Sequence, residues 1–260
     1  MKSTLLSFLA VSVVVYAGLC LYLYLMQRSL IYYPTPAPDR MPAERVTVDS
    51  GDATIVVWRL HSGERDAILY FGGNAEDVTL NIPEFTNWFR DFTVYLVSYR
   101  GYGGSGGRPT EQALYGDAEA VFDLAREQHS SVAVIGRSLG SGIATHLASV
   151  RPVGKLVLVS PAASFTALAR EFYPFFPTSL LLKDRYDSLS RAKKISVPVL
   201  ILIAENDQIV PPDHSLALAG AIDPTLVKTR TIEGTGHNTI GTSPDYGPAL
   251  DAFIRESQPR

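Results

Sequence analysis

The chain contains a single cysteine, Cys20, so no intramolecular disulfide and no multi-cysteine metal site can form, and cysteine usage gives no reading of the redox compartment. Charge of one sign is also scarce. The 23 basic and 26 acidic residues leave a net charge of -3 over 260 residues, which gives no pull toward nucleic acid or other polyanions. Internal repeats and low-complexity tracts are missing, and no G-x-x-x-x-G-K stretch is present to cradle a phosphate. One Gly-rich run does match G-x-G-x-x-G, Gly101-Tyr102-Gly103-Gly104-Ser105-Gly106. A dinucleotide fingerprint opens its helix directly, near the start of a domain. Here Arg108-Pro109-Thr110 intervenes, with Thr110 placed to cap a helix from Glu111, so the run reads as a loop.

Apolar residues make up 46% of the chain, enough to bury one sizeable core. They are distributed in two ways. Thr4 to Met26 carries no charge and as a helix would span about 34 Å, against about 30 Å of bilayer hydrocarbon. Tyr22, Tyr24, Tyr32 and Tyr33 gather at its far end, where amphipathic rings favour the membrane interface. The run is longer than a signal-peptide core and no A-x-A site follows it, and Leu19 before Cys20 does not suit a lipoprotein. We therefore read residues 4–26 as an uncleaved transmembrane anchor. Its three-residue leading tail favours an extracytoplasmic domain, whereas Arg28, Arg40 and Arg45 favour the opposite side; the first reading is preferred. Residues 27–42, with Pro34, Pro36, Pro38 and Pro42, read as a stiff linker lifting the domain off the membrane.

From residue 43 to 257 strand-like and helix-like segments alternate. Arg45–Val48 and Thr54–Leu60 form an opening strand pair across a Ser50-Gly51-Asp52 turn. Six short runs rich in Val, Ile, Leu and Tyr follow, at Ala67–Phe71, Phe92–Ser98, Val132–Ile135, Lys155–Ser160, Val197–Ile203 and Leu226–Ile232. Amphipathic stretches such as Glu111–Gln128 and Ser138–Ser149 lie between them. The rhythm predicts an α/β fold, a mostly parallel sheet with helices on both faces.

The organising stretch is VAVIGRSLGSG, Val132 to Gly142. It reads as strand, sharp turn and helix, a G-x-S-x-G elbow that lifts Ser138 above the sheet edge. Gly136 and Gly140 are required where the turn brings backbone segments together. A serine hydroxyl becomes a nucleophile only when a base takes its proton and a third group orients that base. An acid expected after a buried strand is found at Glu205-Asn206-Asp207, following PVLILIA; Asp207 is chosen over Glu205. Of five histidines, His237 follows a strand through Gly234-Thr235-Gly236. His146 would lie roughly 12 Å down the helix from Ser138. His61 and His129 read as surface residues, and His214 belongs to a helix start after Pro211-Pro212. A developing oxyanion would be held by the backbone amides of Leu139 and, from the loop after Ala67–Phe71, of Asn74. Residues 161–195, rich in Phe, Tyr and Leu, read as a small lid that lines an acyl pocket, packs as core or faces the membrane.

Several blocks together resemble the membrane-anchored α/β-hydrolases of the bud-emergence and depalmitoylase-like type. They are GGNA at Gly72–Ala75, YRGYGGSGGRPTE at Tyr99–Glu111, GRSLGSG at Gly136–Gly142, LLKDRYDSL at Leu181–Leu189, ENDQIVP at Glu205–Pro211 and GTGHN at Gly234–Asn238. The resemblance runs from about Leu30 to the C-terminus. It implies an α/β-hydrolase fold, a Ser138–His237–Asp207 triad cleaving ester or thioester bonds, a membrane segment, and neither metal nor cofactor. The expected partners are a small or lipid-like acyl substrate and the membrane. Two positions depart from the pattern: Gly72 stands where members often carry histidine, and Ala204 replaces a frequent glycine. The same triad serves peptidases and amidases, and a binding or scaffold protein that lost activity is the alternative outside enzymes.

Overall fold

The computed structural model describes residues 2–256, so Ser257, the last residue of the expected domain, lies outside the described residues. Eight strands form one sheet: β1 (Glu44–Ser50), β2 (Ala53–Leu60), β3 (Asp66–Phe71), β4 (Thr93–Val97), β5 (Ser131–Arg137), β6 (Leu156–Val159), β7 (Val199–Ala204) and β8 (Val227–Ile232). Their spatial order is β1-β2-β4-β3-β5-β6-β7-β8. The β1–β2 and β2–β4 pairs are antiparallel, and every pair from β4–β3 to β7–β8 is parallel. The strands lie within a few residues of the expected runs. β6 stops at Val159 because Ser160 turns to a φ of 46°.

The helices are α1 (Lys2–Ile31), α2 (Ile82–Trp88), α3 (Glu111–Gln128), α4 (Leu139–Val150), α5 (Phe165–Phe172), α6 (Thr178–Leu181), α7 (Ser188–Arg191), α8 (Pro212–Ala221) and α9 (Tyr246–Arg255). Successive side chains of a strand point to opposite faces, and β3 divides its residues accordingly. Leu69 and Phe71 belong to the core layer that also holds Phe122 of α3, Ile143 of α4 and Leu218 of α8. Ile68 and Tyr70 belong to the opposite layer, which also holds Phe85 of α2, in edge contact with Tyr70 at 4.9 Å, and Leu250 of α9. Strands buried on both faces explain the near-continuous apolar runs read in the sequence. Thr110 does cap α3, its hydroxyl accepting from the Ala113 amide at 3.2 Å.

Two expectations need correction. The stiff linker does not begin at residue 27, because α1 continues to Ile31 and is fastened to the domain rather than held away from it. Gln27 is buried, Arg28 pairs with Asp184 at 2.9 Å, and the Tyr32 and Tyr186 hydroxyls meet at 2.8 Å. The extended part that follows lies along the Gly-rich loop, where the Gly103 amide donates to the Thr35 carbonyl at 3.0 Å. Nor is His129 a surface residue. It is buried at the end of α3, its Nε2 2.8 Å from the Tyr95 hydroxyl and its Nδ1 2.8 Å from the Glu64 carbonyl.

Candidate active site

Strand β5 delivers Ser138 to the sheet edge and α4 starts at the next residue, so the serine occupies the turn itself, with φ 51° and ψ -113°. That left-handed conformation costs a non-glycine residue free energy and persists only where the surroundings over-determine it. The surroundings here are two glycines. A Cβ on Gly136 would run into the Gly140 carbonyl, and one on Gly140 would run into the Phe71 carbonyl, so the elbow closes only with hydrogen at both positions.

The loop after β8 brings His237 across to the serine. Its Nε2 lies 2.8 Å from Ser138 Oγ and its Nδ1 lies 2.7 Å from Asp207 Oδ2. Asp207 follows β7 and is held from the other side, Oδ1 accepting from the amides of Ile209 at 3.0 Å and Val210 at 2.8 Å. Burial alone would raise the Asp207 carboxyl, but the hydrogen bonds from His237 and from Val210 outweigh it, and the group sits below the usual carboxylate range. An ionised carboxylate only accepts, so Nδ1 carries the imidazole proton and Nε2 faces the serine with a free lone pair. A hydroxyl whose proton points at such a nitrogen can lose it when Oγ attacks an electrophile. Asp207 and His237 are both buried, whereas Ser138 is half-buried and reachable.

The rival groups have other partners. Glu205 accepts the Gly234 amide at 2.8 Å. His146 pairs with Glu119 at 2.9 Å and stacks on Tyr115 at 3.8 Å; burial lowers its pKa. His214 sits in the first turn of α8, 3.1 Å from Glu171.

The Leu139 and Asn74 amides find no acceptor in the protein among the described residues. Gly73 brings the Asn74 loop next to the elbow: a Cβ built there would stand 3.6 Å from the Ser138 Cβ. The Asn74 side chain is engaged at both its oxygen and its nitrogen. Its Oδ1 accepts from Tyr102 Oη at 2.8 Å and from the Tyr33 amide at 3.1 Å, and its Nδ2 donates to the Ile31 carbonyl at 2.5 Å. The Ile31 carbonyl is one of the orphan acceptors at the end of α1, so the loop beside Ser138 is capped onto that helix.

Sequence reading missed Glu76 and Arg137. Arg137 Nη1 and Glu76 Oε2 meet at 2.7 Å, both side chains largely buried. Glu76 also accepts from the Gly73 amide at 2.6 Å, from Tyr70 Oη at 2.6 Å and from Asn81 Nδ2 at 2.9 Å. Burial would raise the Glu76 carboxyl, yet the Arg137 charge and the Tyr70 and Gly73 bonds hold it below its ordinary value. Arg137 Nη2 donates to the His237 carbonyl at 3.1 Å. One ion pair thus ties together the elbow, the Asn74 loop and the His237 loop. It also accounts for Gly72. A Cβ at that position would come within 2.9 Å of Val78 Cγ1 and 3.0 Å of Glu76 Cδ, so the carboxylate fills the room a larger residue would need. No group of three or more His, Cys, Asp or Glu side chains among the described residues is arranged to hold a metal ion.

These features define an α/β-hydrolase, and the chain belongs to that family. The family model described as alpha/beta hydrolase fold matches residues 66–190. The chain is 34% identical over 245 residues to Rv2307c, an uncharacterized protein of Mycobacterium tuberculosis, covering 88% of this chain and 86% of that one. It is 28% identical over 211 residues to alpha/beta hydrolase domain-containing protein 17C of Xenopus tropicalis, covering 77% of this chain and 65% of the relative. Among solved structures, the Pyrococcus furiosus esterase Pf2001 superposes with a TM-score of 0.71 at 17% identity, covering 86% of this chain and 96% of the esterase, a likeness of fold.

Proposed function

We propose that this protein is a membrane-anchored serine hydrolase that cleaves carboxylic ester or thioester bonds through an acyl-enzyme. The observation that carries the reading is the unbroken relay from Ser138 Oγ through His237 to Asp207, at 2.8 and 2.7 Å, on a strained elbow. Ser138 Oγ attacks the carbonyl carbon while His237 Nε2 takes its proton, and Asp207 holds the tautomer and stabilises the imidazolium. The oxyanion is held by the amides of Leu139 and Asn74, which have no competing acceptor. The imidazolium then gives its proton to the departing alcohol or thiol. A water deprotonated by His237 attacks the acyl-serine, and the carboxylic acid leaves with Ser138 regenerated.

Anchoring rests on α1. Its apolar stretch is left uncovered by the rest of the protein, whereas the core helix of a soluble protein would be largely covered. An exposed apolar helix surface of this kind is well solvated by bilayer hydrocarbon, which supports the anchor reading. The test is a parallel screen of acyl esters, acyl thioesters and peptide amides with purified full-length protein. Ester or thioester turnover that is lost in His237→Ala supports the reading; turnover unchanged in that variant contradicts the base assignment.

A further inference from the structure

Helix α1 does not leave the domain cleanly; it runs along the lid at several levels. The Tyr16 ring stacks on Phe176 with centroids 5.9 Å apart, and Tyr16 Oη donates to the Phe175 carbonyl at 2.8 Å. Tyr16 stands one residue past the middle of the uncharged 4–26 run. If that run fills about 30 Å of hydrocarbon, Phe175 and Phe176 lie near its mid-depth. Closer to the domain the contacts become polar: Lys183 Nζ sits 3.9 Å from the centre of the Tyr24 ring and Arg28 pairs with Asp184. Aromatic rings beside cationic groups mark a membrane interface. Below that level Phe175 is 85% exposed and Leu180 79% exposed, with Phe172 and Tyr173 also open. In water these would form an unprotected apolar patch; beside a helix in lipid they are solvated by hydrocarbon.

Between α1 and the lid lies a cavity of about 180 Å³, walled by Leu23, Leu30 and Ile31 of the helix and by Ala169, Tyr173 and Phe176 of the lid. Gln27 also lines it, but its amide is already used, Nε2 donating to the Tyr24 and Leu181 carbonyls and Oε1 accepting from the Lys183 amide. Apart from Thr178, the remaining walls, Leu181 and Leu182 included, are mainly hydrocarbon. The cavity's Phe176 wall reaches toward the depth of the bilayer core, while Leu23, next to Tyr24, stands at the interface level. Its other end is Ile31, about 12 Å along the helix, whose carbonyl is bonded to Asn74 in the loop beside Ser138.

We propose that the lid is sunk in the membrane and that this cavity holds the hydrocarbon chain of a bilayer-resident ester or thioester while its carbonyl is attacked by Ser138. The proposal rests on the hydrolase reading above and uses the same chemistry: the acyl group passes to Ser138 Oγ, the alcohol or thiol leaves with the proton, and water releases the acid. The helix then serves as anchor and as one wall of the substrate site. The chain need never cross water to reach the serine.

The test uses full-length protein in phosphatidylcholine vesicles. Phe175→Trp is compared with wild type, whose tryptophans are Trp58 and Trp88, in lipid brominated at mid-chain. The added emission should be quenched by at least half; emission untouched by bromolipid overturns the placement of the lid. Ala169→Trp and Leu23→Trp then fill the cavity from its two sides. The ratio of kcat/KM for p-nitrophenyl hexadecanoate to that for p-nitrophenyl acetate should fall at least tenfold in both. An unchanged ratio in a variant that still hydrolyses acetate overturns the acyl site and leaves the cavity to structural lipid. Wild type that turns over neither ester in a Ser138-dependent manner overturns the hydrolase reading and the acyl site with it, while the quenching result still judges the lid.

Discussion

Arg137 and Glu76 meet at 2.7 Å beneath the elbow, and neither touches Ser138 Oγ. Their pair nevertheless fixes three loops, because Glu76 accepts the Gly73 amide and Arg137 donates to the His237 carbonyl. Removing one partner leaves a buried charge uncompensated, which costs about 3–5 kcal/mol. Glu76→Gln should lose stability of that order in urea unfolding. Adding Arg137→Met should restore much of it, because both charges are then gone. Turnover should stay low in the double variant, since the His237 carbonyl has lost its donor. Recovery of both quantities together would mean the pair serves stability alone.

Gly72 is determined by the same carboxylate. In Gly72→His the Cβ would press on Val78 and Glu76 at 2.9 and 3.0 Å. Overpacking of this kind costs about 1–3 kcal/mol. The melting temperature should drop and ester turnover with it. A variant as stable and as active as wild type would show that the loop can rearrange around the larger side chain.

Asn74→Ala keeps the backbone amide but removes the side chain that caps the end of α1 and accepts from Tyr102 and Tyr33. A small displacement of a stabilising donor is worth up to about a hundredfold in rate. The expected outcome is a kcat lowered roughly tenfold to a hundredfold with KM little changed, measured on a short-chain ester. A change confined to KM would place Asn74 in substrate binding instead.

Asp207 gives a pH dependence of definite sign. Its carboxyl is depressed in the folded protein below an ordinary value of 3.8. The stability this contributes is present in full above about pH 5, begins to fade near the ordinary carboxyl value, and is lost as the pH falls through the folded one. Melting curves between pH 3 and 6 should therefore show an acid limb that is shallower in Asp207→Asn. The same substitution should lower kcat by about 10⁴, because the asparagine no longer selects the productive imidazole tautomer. An equally steep acid limb in the variant would assign the acid sensitivity to other carboxylates.

Much of this arrangement is written in local sequence. Gly136, Ser138 and Gly140 are adjacent in the chain, and the turn they make is decided within a few residues. Asp207 follows a strand recognisable by its apolar run, VLILIA, and His237 follows VKTRTI, a strand marked by its β-branched residues rather than by apolarity, through a Gly-rich loop. What stayed hidden depends on pairings across the fold. Glu76 and Arg137 are 61 residues apart, and nothing near either one names the other. The burial of His129 comes from Tyr95 and Glu64, on segments that are distant in sequence. The extension of α1 to Ile31 was obscured by Gln27 and Arg28, which look like linker residues until Leu181, Lys183 and Asp184 are seen to receive them.

The central claim is that Ser138 is an activated nucleophile. Labelling of the protein with a fluorophosphonate probe tests it most directly, because the probe reacts only with a serine whose proton has somewhere to go. The geometry of Ser138, His237 and Asp207 predicts rapid labelling of the wild type and none of Ser138→Ala. A well-folded wild type that resists the probe, or a Ser138→Ala variant that still reacts, would contradict the account.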